Sequence, residues 1–453
     1  MLNQLTLAHL GEILAAIPVN LGNDCGKTKI VGIATDTRHL QPGEVFVALR
    51  GEKFDGHKFV PAARSKGAIA VITDCQLTLP IPQLIVKDTL QAYQAIAQWW
   101  RDQFAIPVIA ITGSVGKTTT KELIAAVLST QGQVLKTQLN FNNEIGVPKT
   151  LLELGAAHDF AAIEMAMRGA GQIALLAQIA RPTIGVITNV GTAHIGLLGS
   201  EEAIAAAKCE LLAEMPTTGV AVLNHDNPLL MATAAKVWSG KTLTYGLEGG
   251  DLQGQLVSDQ MLLVDGVKLP LPLPGRHNAL NYLAALAVAK LLQVSWNPLT
   301  AGLQVTLPDG RAKRYELPND IVLLDETYNA GLESMLAALH LLAQTPGKRR
   351  IAVLGTMKEL GKRSPEFHQR VGETARRLNL DGLLILANDP EAKAIALGAA
   401  GMPSECFDTH ADLIERLKGM AREGDRLLFK ASHSFGLDQI VNQFREEGRG
   451  KRG

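Results

Sequence analysis

The sequence has few cysteines, no long apolar run and no excess of charge of either sign. The cysteines lie far apart and form no Cys-x-x-Cys pair: Cys25, Cys75, Cys209 and Cys406. This spacing indicates neither a disulfide framework nor a zinc site, and it is typical of a reducing compartment. No run of about 18 apolar residues is present to span a bilayer, and the N-terminus lacks signal-peptide features. We therefore predict a cytoplasmic protein without membrane insertion.

The balance of charge excludes a general affinity for polyanions. Lys plus Arg and Asp plus Glu each number 44, and no basic stripe with interleaved aromatic residues is present. We therefore expect no nucleic-acid partner, and an anionic ligand must be held by local groups. We also expect the protein to be a monomer.

The length indicates several domains. At about 150 residues per domain, 453 residues suggest three. Hydrophobic residues make up 47%, which is enough for packed cores. Changes in the pattern of apolar runs, turn signals and strand–helix alternation along the chain place the predicted domains at residues 1–87, 88–310 and 311–453.

Strand-like and helix-like segments alternate through the chain. This alternation predicts parallel sheets covered by helices on both faces, in a central unit and again in a second α/β unit beyond Pro308-Asp309-Gly310. Residues 250–272 alternate around Asp265-Gly266, which predicts a hairpin late in the central unit. The predicted helices are 89–104, 117–131 and 200–215. Short apolar runs between turn signals stand at 45–49, 68–73 and 83–86. The predicted strands are 108–112, 160–165, 183–189, 321–324, 351–354, 383–386 and 426–429.

The most informative motif is VIAITGSVGKTTTK, residues 108–121. A buried strand leads into glycines that allow backbone N–H groups to close on phosphate oxygens, and the following helix adds its positive dipole. Lys117 can reach the β- and γ-phosphates, and Thr118 can bind Mg²⁺. The usual spacing places a further glycine where Ile111 stands, so this is a shorter variant. The predicted ATP-binding residues of the loop are Gly113, Ser114, Val115, Gly116, Lys117, Thr118 and Thr119.

TGSVGKTTTK resembles the Mur ligase family, and the similarity extends over nearly the whole chain. The segments LNFNNEIGVP, AIEMAMRGAGQI, RPTIGVITNVGTAHIGLLGS and AKCELL follow the loop in the family's order. The resemblance implies that Glu164 and His194 hold Mg²⁺ with Thr118, and that Lys208, carbamylated in many members, helps to hold a second ion. Taken singly, each has a simpler interpretation: Glu164 as a cap or ion pair, His194 as an exposed loop residue, and Lys208 as a solvated lysine.

The family chemistry joins a carboxylate to an amine through an acyl phosphate. Bringing a carboxylate to a polyanion is opposed by electrostatic repulsion, which metal ions that bridge both groups lower. The resemblance implies a UDP-sugar-binding N-terminal domain, a central P-loop ATPase domain with a parallel sheet, and a Rossmann-like C-terminal domain. It also implies further ATP-binding residues: His277, Asn278, Asn281, Arg311 and Asp325. Without it, Asn278 and Asn281 could equally cap a helix.

One segment, DETYNAGLESM at residues 325–335, indicates the branch of the family. It resembles ligases that add D-alanyl-D-alanine to UDP-N-acetylmuramoyl-tripeptide, with Gly331-Leu332 in place of their Asn-Pro. His433 likewise stands where those ligases commonly have arginine. The substrates implied are UDP-N-acetylmuramoyl-tripeptide and D-alanyl-D-alanine. The implied substrate-binding residues are Thr37, Arg38, Asn142, Asn143, Tyr328, Asn329, Lys430 and Ser432.

Two alternatives remain open at this point. The chain could add the third residue of the peptide, although the Asp-Asn-Pro-Arg sequence of diaminopimelate-specific members is absent. It could instead be an inactive relative that binds ATP or UDP-sugar as a regulatory module, which the departures at Gly331-Leu332 and His433 would favour. The joint presence of Lys117, Glu164, His194 and Lys208 argues against that alternative. The sequence leaves the third residue of the tripeptide, diaminopimelate or lysine, undetermined.

Overall fold

A computed structural model describes residues 5–22, 25–51, 54–387 and 389–450. Within these residues, three sheets follow one another along the chain, and no sheet takes a strand from another's segment. No helix in the described ranges is long and apolar enough to cross a membrane.

Within the described part of the N-terminal unit, five strands form the sheet, in the order β1-β5-β4-β3-β2. Strands β2 to β5 are parallel, and β1 pairs with β5 in the antiparallel sense. The strands are β1 Ile17–Val19, β2 Gly32–Ala34, β3 Glu44–Val47, β4 Ala70–Thr73 and β5 Gln83–Ile85. The helices are α1 Leu7–Ile13, α2 Val60–Ser65 and α3 Thr89–Arg101, the last leading to the central unit.

The central sheet has the order β14-β13-β12-β11-β10-β9-β6-β8-β7, parallel from β7 to β12. Its strands are β6 Val108–Thr112, β7 Val134–Lys136, β8 Phe160–Glu164, β9 Ile184–Ile187, β10 Val220–Asn224, β11 Lys241–Gly246, β12 Leu252–Ser258, β13 Met261–Val264 and β14 Val267–Pro270. Its helices are α4 Lys117–Leu128, α5 Gly146–Leu152, α6 Gln172–Ala180, α7 Ile195–Leu198, α8 Glu201–Ala213, α9 Pro228–Val237 and α10 Arg276–Leu291.

The C-terminal sheet has the order β15-β16-β20-β17-β18-β19, parallel except for the edge strand β15. Its strands are β15 Lys313–Leu317, β16 Ile321–Asp325, β17 Arg349–Leu354, β18 Gly382–Leu386, β19 Ser404–Phe407 and β20 Asp425–Lys430. Its helices are α11 Leu332–Gln344, α12 Ser364–Arg377, α13 Pro390–Gly398, α14 His410–Met420 and α15 Leu437–Gly450.

Most predicted elements agree with the structure to within a few residues. The hairpin is confirmed, because β13 and β14 pair in the antiparallel sense around Asp265-Gly266. The helix predicted over 89–104 ends earlier, at Arg101. There the Arg101 guanidinium donates to the Phe104 carbonyl, and Pro107 favours extended backbone just before it.

The strand order places the phosphate loop at the carboxyl ends of the parallel strands of the central sheet. Strand β6 lies between β9 and β8. The chain runs from β6 to β7 and β8 on one side and then crosses to β9 on the other side. Ligands of open α/β sheets bind where the strand order reverses in this way, beyond the carboxyl ends of the strands. The loop that follows β6 therefore occupies the position at which such sheets bind nucleotides.

Candidate active site

The loop between β6 and α4 needs its two glycines because other groups lie against them. Gly116 has φ +81°, and a Cβ there would lie 2.5 Å from the Asn281 Oδ1 atom. A Cβ on Gly113 would lie 1.9 Å from the Thr188 Oγ1 atom. Only glycine fits both positions, and the resulting cradle of backbone N–H groups at the start of α4 suits phosphate oxygens.

Two residues at the end of β9 hold this loop in shape. The Thr188 hydroxyl donates to the Val115 carbonyl at 2.7 Å. The Asn189 side chain accepts from the Val115 N–H at 3.0 Å and donates to its carbonyl at 3.0 Å. The Ser114 hydroxyl accepts from the Gly191 N–H at 2.9 Å. Thr188 and Asn189 were not predicted from the sequence, since supporting roles leave no local signal.

Lys117 begins α4 and lies half-buried over the loop. Its Nζ donates to the Gly113 carbonyl at 2.7 Å, which curls the side chain back across the phosphate cradle. Burial lowers the pKa of Lys117, and the negative charge of Glu164 opposes that shift. Thr118 is buried beside it, and Thr119 is half-buried.

Glu164, at the end of β8, has the features of a metal ligand. Its carboxylate is 3% exposed, and Oε1 accepts from the Asn142 amide at 2.8 Å. Its other oxygen, Oε2, is buried without a hydrogen-bond partner, and the Lys121 ammonium lies 3.9 Å away. Leaving a buried carboxylate oxygen unpaired is costly, so this atom fits a hard cation such as Mg²⁺. The Lys121 contact agrees with the ion-pair interpretation of Glu164, at the limit of a salt-bridge distance.

Lys208 is not the solvated lysine that its position in a helix suggested. It lies in the middle of α8 and is 1% exposed. Burial lowers the pKa of Lys208 well below its usual value, and the charge of Lys117 lowers it further. The side chain is therefore disposed to be neutral, in contrast to a surface lysine.

His194 has left-handed backbone, with φ +65°, immediately before α7. Its Nδ1 lies 2.5 Å from the Glu359 Oε2 atom, which belongs to the C-terminal unit. Burial lowers the pKa of His194, the hydrogen bond to Glu359 raises it, and the charges of Lys117 and Lys208 lower it.

The beginning of α10 adjoins the phosphate loop. The Thr120 hydroxyl donates to the Asn281 Oδ1 atom at 3.2 Å, and the Asn281 amide donates to the Asn278 Oδ1 atom at 3.3 Å. Asn278 in turn donates to the Pro274 carbonyl at 2.8 Å. Burial lowers the pKa of His277 to about 4, with a smaller effect from Lys430. The three predicted α10 residues thus lie between the loop and the C-terminal unit.

Arg311 and Tyr328 meet where the chain enters the C-terminal unit. The Arg311 guanidinium lies 3.8 Å from the centre of the Tyr328 ring, and its Nε is buried without a hydrogen-bond partner. The His433 ring centre lies 6.1 Å from that of Tyr328. The ring therefore holds the arginine in a fixed position, available to an anion.

A buried lysine and two carboxylates lie at the carboxyl ends of β16 and β20. The Lys430 Nζ donates to the Asn329 carbonyl at 2.9 Å, and burial lowers the pKa of Lys430. Burial raises the pKa of Glu326, which the sequence analysis did not identify. Asp325 accepts from the Thr327 N–H at 3.1 Å and from its hydroxyl at 2.6 Å. Ser432, two residues beyond Lys430, is also buried.

The replacement of Asn-Pro by Gly331-Leu332 leaves the start of α11 intact. Gly331 has extended backbone, with φ −141°, and its N–H donates to the Ser334 hydroxyl at 3.1 Å. Leu332 begins the helix and is 2% exposed. The position needs no left-handed residue, so this departure does not disturb the segment.

Three predicted substrate-binding residues have local partners. Arg38 is 82% exposed at its side chain and pairs with Asp36 at 2.6 Å. The Thr37 carbonyl accepts from the Lys66 ammonium at 2.7 Å. The Asn143 Oδ1 atom accepts from the Gly146 N–H at 2.9 Å, at the beginning of α5. Thr37 and Arg38 thus lie in the N-terminal unit, apart from the residues gathered around the phosphate loop.

Together these features define an ATP-using enzyme in which a P-loop sheet faces a second α/β unit across a charged crevice. Known domain profiles match the chain in three parts: the Mur ligase catalytic domain at residues 29–99, the Mur ligase middle domain at 111–289, and the Mur glutamate ligase domain at 310–433. The chain belongs to the Mur ligase family. The predictions of this family and of its three-part α/β architecture are confirmed.

Individual relatives match over nearly the full chain. A Synechocystis sp. protein named UDP-N-acetylmuramoyl-tripeptide–D-alanyl-D-alanine ligase is 60% identical over 448 residues, covering 98% of both chains. A crystal structure of MurF from Acinetobacter baumannii matches with a TM-score of 0.88 and 31% identity, covering 97% of this chain and 98% of that one. A crystal structure of MurF ligase from Thermotoga maritima in complex with ADP matches with a TM-score of 0.83 and 30% identity. The match covers 93% of this chain and 98% of that one.

Proposed function

We propose that the chain joins D-alanyl-D-alanine to UDP-N-acetylmuramoyl-tripeptide with hydrolysis of ATP to ADP and phosphate. The observation that carries the proposal is that the P-loop and its lysine follow β6 while Glu164 ends the neighbouring strand β8, with one buried carboxylate oxygen that has no hydrogen-bond partner. The near full-length similarity to the Synechocystis sp. ligase supports the choice of acceptor and donor. This enzyme activity completes the UDP-muramoyl-pentapeptide of peptidoglycan synthesis.

The reaction has two steps. A terminal carboxylate oxygen of the tripeptide attacks the γ-phosphorus of ATP, the bond to the bridging oxygen breaks, and ADP leaves. The amine of D-alanyl-D-alanine then attacks the acyl carbon, phosphate leaves, and the nitrogen loses a proton. Lys117 and the N–H groups of the loop neutralise charge on the phosphates, and Arg311 adds a fixed cation. Closure of the C-terminal unit keeps water from the acyl phosphate.

Mg²⁺ suits this site, and we place two ions there. When bound, Mg²⁺ neutralises the repulsion between the γ-phosphate and the attacking carboxylate. The residues that would hold the ions are Thr118, Glu164, His194 and Lys208. A neutral lysine amine can add to carbon dioxide and release a proton, giving a carbamate with the oxygen donors that Mg²⁺ prefers. The buried position of Lys208 favours that neutral amine.

The remaining residues are assigned to nucleotide and substrates. Asp325 would bind ribose, and the α10 residues His277, Asn278 and Asn281 would lie near adenine. The peptide substrates would contact Asn142, Asn143, Tyr328, Asn329, Lys430 and Ser432, and the UDP-muramoyl group would contact Thr37 and Arg38. On this assignment, residues 1–87 bind the UDP-sugar, 88–310 bind ATP, and 311–453 bind the dipeptide. We place the enzyme in the cytoplasm as a monomer.

The test is phosphate release from purified protein with Mg-ATP, UDP-N-acetylmuramoyl-tripeptide and D-alanyl-D-alanine, with each omitted in turn. We expect release only when all are present, with a pentapeptide product identified by mass. Tripeptides ending in diaminopimelate and in lysine are compared to determine the third residue. Release with a free diamino acid and UDP-N-acetylmuramoyl-dipeptide instead would assign the chain to the ligases that add the third residue. ATP binding without release under any combination would indicate a regulatory relative.

A further inference from the structure

The segment that carries His194 is held by two carboxylates from the C-terminal unit. Glu333, in the first turn of α11, accepts from the Thr192 N–H at 2.7 Å and from its hydroxyl at 3.3 Å. A Cβ on Gly191 would lie 2.5 Å from the Glu333 carboxylate, so this approach requires glycine. Glu359 contacts His194 itself, at 2.5 Å from Nδ1. Both carboxylates belong to the C-terminal unit and contact residues of the central unit.

The backbones of the two units also come into close contact beside His194 and Glu359. The Gly196 N–H donates to the Glu359 carbonyl at 2.9 Å. A Cβ on Gly196 would lie 2.6 Å from the Gly361 nitrogen, and one on Gly361 would lie 2.8 Å from the Gly196 Cα. His194 and Glu359 both have a left-handed backbone conformation, with φ +65° and +62°. Such conformations are uncommon outside glycine, and strained residues persist only where surrounding contacts hold them.

We propose that Glu359 is a positioning residue that orients His194 only when the C-terminal unit docks on the central unit. A metal-binding histidine commonly donates its second ring nitrogen to a carboxylate, which fixes the ring and leaves the other nitrogen for the metal. Here the carboxylate comes from another unit, so docking and ring orientation occur together. Glu333 and the Gly196–Gly361 contact hold the same segment, which couples assembly of the metal site to closure.

This inference rests on the proposed function, because it assumes that His194 acts at the Mg²⁺ site. It differs from a simple docking contact in what it predicts. A contact that only joins the units would alter the affinity for substrates that bridge them. A positioning residue instead lowers the rate at saturation and weakens the response to Mg²⁺.

The test compares Glu359→Ala and Glu359→Gln with wild type by steady-state kinetics across Mg²⁺ concentrations. We expect Glu359→Ala to lower kcat and raise the half-saturating Mg²⁺ concentration, each by about ten- to hundred-fold, as for other outer carboxylates. KM for UDP-N-acetylmuramoyl-tripeptide should stay within about two-fold. Glu359→Gln, which retains a hydrogen-bonding oxygen, should recover part of the loss. Glu359 is partly exposed, so neither change should unfold the protein.

A second readout does not depend on turnover. Hydrogen–deuterium exchange of the peptide spanning residues 190–199 should be faster in Glu359→Ala, with Mg-ADP bound or absent. Gly361→Ala, which blocks the backbone contact, should give the same change. Glu423→Ala is the matched control, since Glu423 is an exposed glutamate of the C-terminal unit that pairs with Lys348. It should match wild type in both measurements.

The outcomes separate this inference from the proposed function. Wild-type kcat and Mg²⁺ dependence in Glu359→Ala would overturn it, as would a change confined to substrate KM. Unchanged exchange of residues 190–199 in both Glu359→Ala and Gly361→Ala would also overturn it. If the wild-type protein forms no pentapeptide but exchange still depends on Glu359, the proposed function fails while the docking contact stands.

Discussion

At the scale of single residues, burial changes what the charged side chains of the site can do. Lys117, Lys208 and Lys430 all have a lowered pKa because they are removed from water. Burial raises the pKa of Glu326, which disfavours its charged form as well. Electrostatic interactions are stronger at buried groups than in water, and pKa shifts of this kind are typical of functional sites.

Lys117→Ala should abolish most turnover without unfolding the protein. The ammonium lies over the phosphate cradle, and removing one such charge contact costs about 10²- to 10³-fold in kcat. Steady-state phosphate release measures the loss, and circular dichroism checks the fold. Lys348→Ala, at an exposed lysine, is the control and should keep full activity. Activity near wild type in Lys117→Ala would exclude the proposed mechanism.

Lys208 should carry a carbamate in the active enzyme. Carbon-13 NMR of protein equilibrated with labelled bicarbonate should show a carbamate signal that disappears in Lys208→Ala. The same variant should lose activity, because the oxygen donors for the metal are gone. Lys236→Ala, on the neighbouring helix α9, should retain the signal. A signal that persists in Lys208→Ala would place the carbamate elsewhere.

Among residues, the sequence indicated candidate phosphate and metal ligands but not the residues that hydrogen-bond around them. Lys117 and Glu164 were predicted, because their types and order follow a known chemical pattern. Thr188, Asn189, Glu333 and Glu359 were not, since their partners lie far away in the chain. A hydrogen bond between residues 165 positions apart, as in His194 and Glu359, leaves no trace in local spacing.

At the scale of elements, the glycine before α4 allows the helix to begin against α10. Gly116→Ala should lower the free energy of unfolding by roughly 1–2 kcal/mol, the cost of a left-handed residue other than glycine. It should also lose ADP binding, because the added Cβ lies against Asn281. Denaturant titration and calorimetry measure the two effects.

Gly171→Ala is the matched control for this prediction. Gly171 precedes α6 with φ +80°, nearly the same conformation, but no atom lies within 4 Å of its added Cβ. It should therefore lose similar stability and keep ADP binding. Equal loss of ADP binding in both variants would show that the effect comes from backbone strain and not from the contact with Asn281.

Several buried strands were predictable from the sequence, whereas the buried strand β10 and the two edge strands of the C-terminal sheet were not singled out. β6 and β8 are continuous apolar runs enclosed on both faces, which gives a strong pattern. β15 and β19 lie at the two edges of the C-terminal sheet and alternate exposed with half-buried residues. Their pairing depends on neighbours supplied by the rest of the sheet, so composition alone does not indicate them.

At the scale of the whole molecule, the proposed nucleotide contacts come from elements far apart in the chain. Mg-ADP at a hundred times its Kd should raise the free energy of unfolding by about 2.7 kcal/mol if it binds only the folded protein. Thermal denaturation at several concentrations measures the shift. The Lys117→Ala variant should show little stabilisation by Mg-ADP. An unchanged transition in the wild-type protein at saturating Mg-ADP would contradict nucleotide binding by the folded state.

The sequence by itself determined the P-loop, the alternation of strands and helices, and the family, because these depend on residues close together in the chain. Only the tertiary structure decided that Lys208 is buried, that Glu164 has an unpaired oxygen, and that Glu359 reaches His194. Burial and pairing depend on which elements pack together. That arrangement follows from the whole fold, and no local segment specifies it.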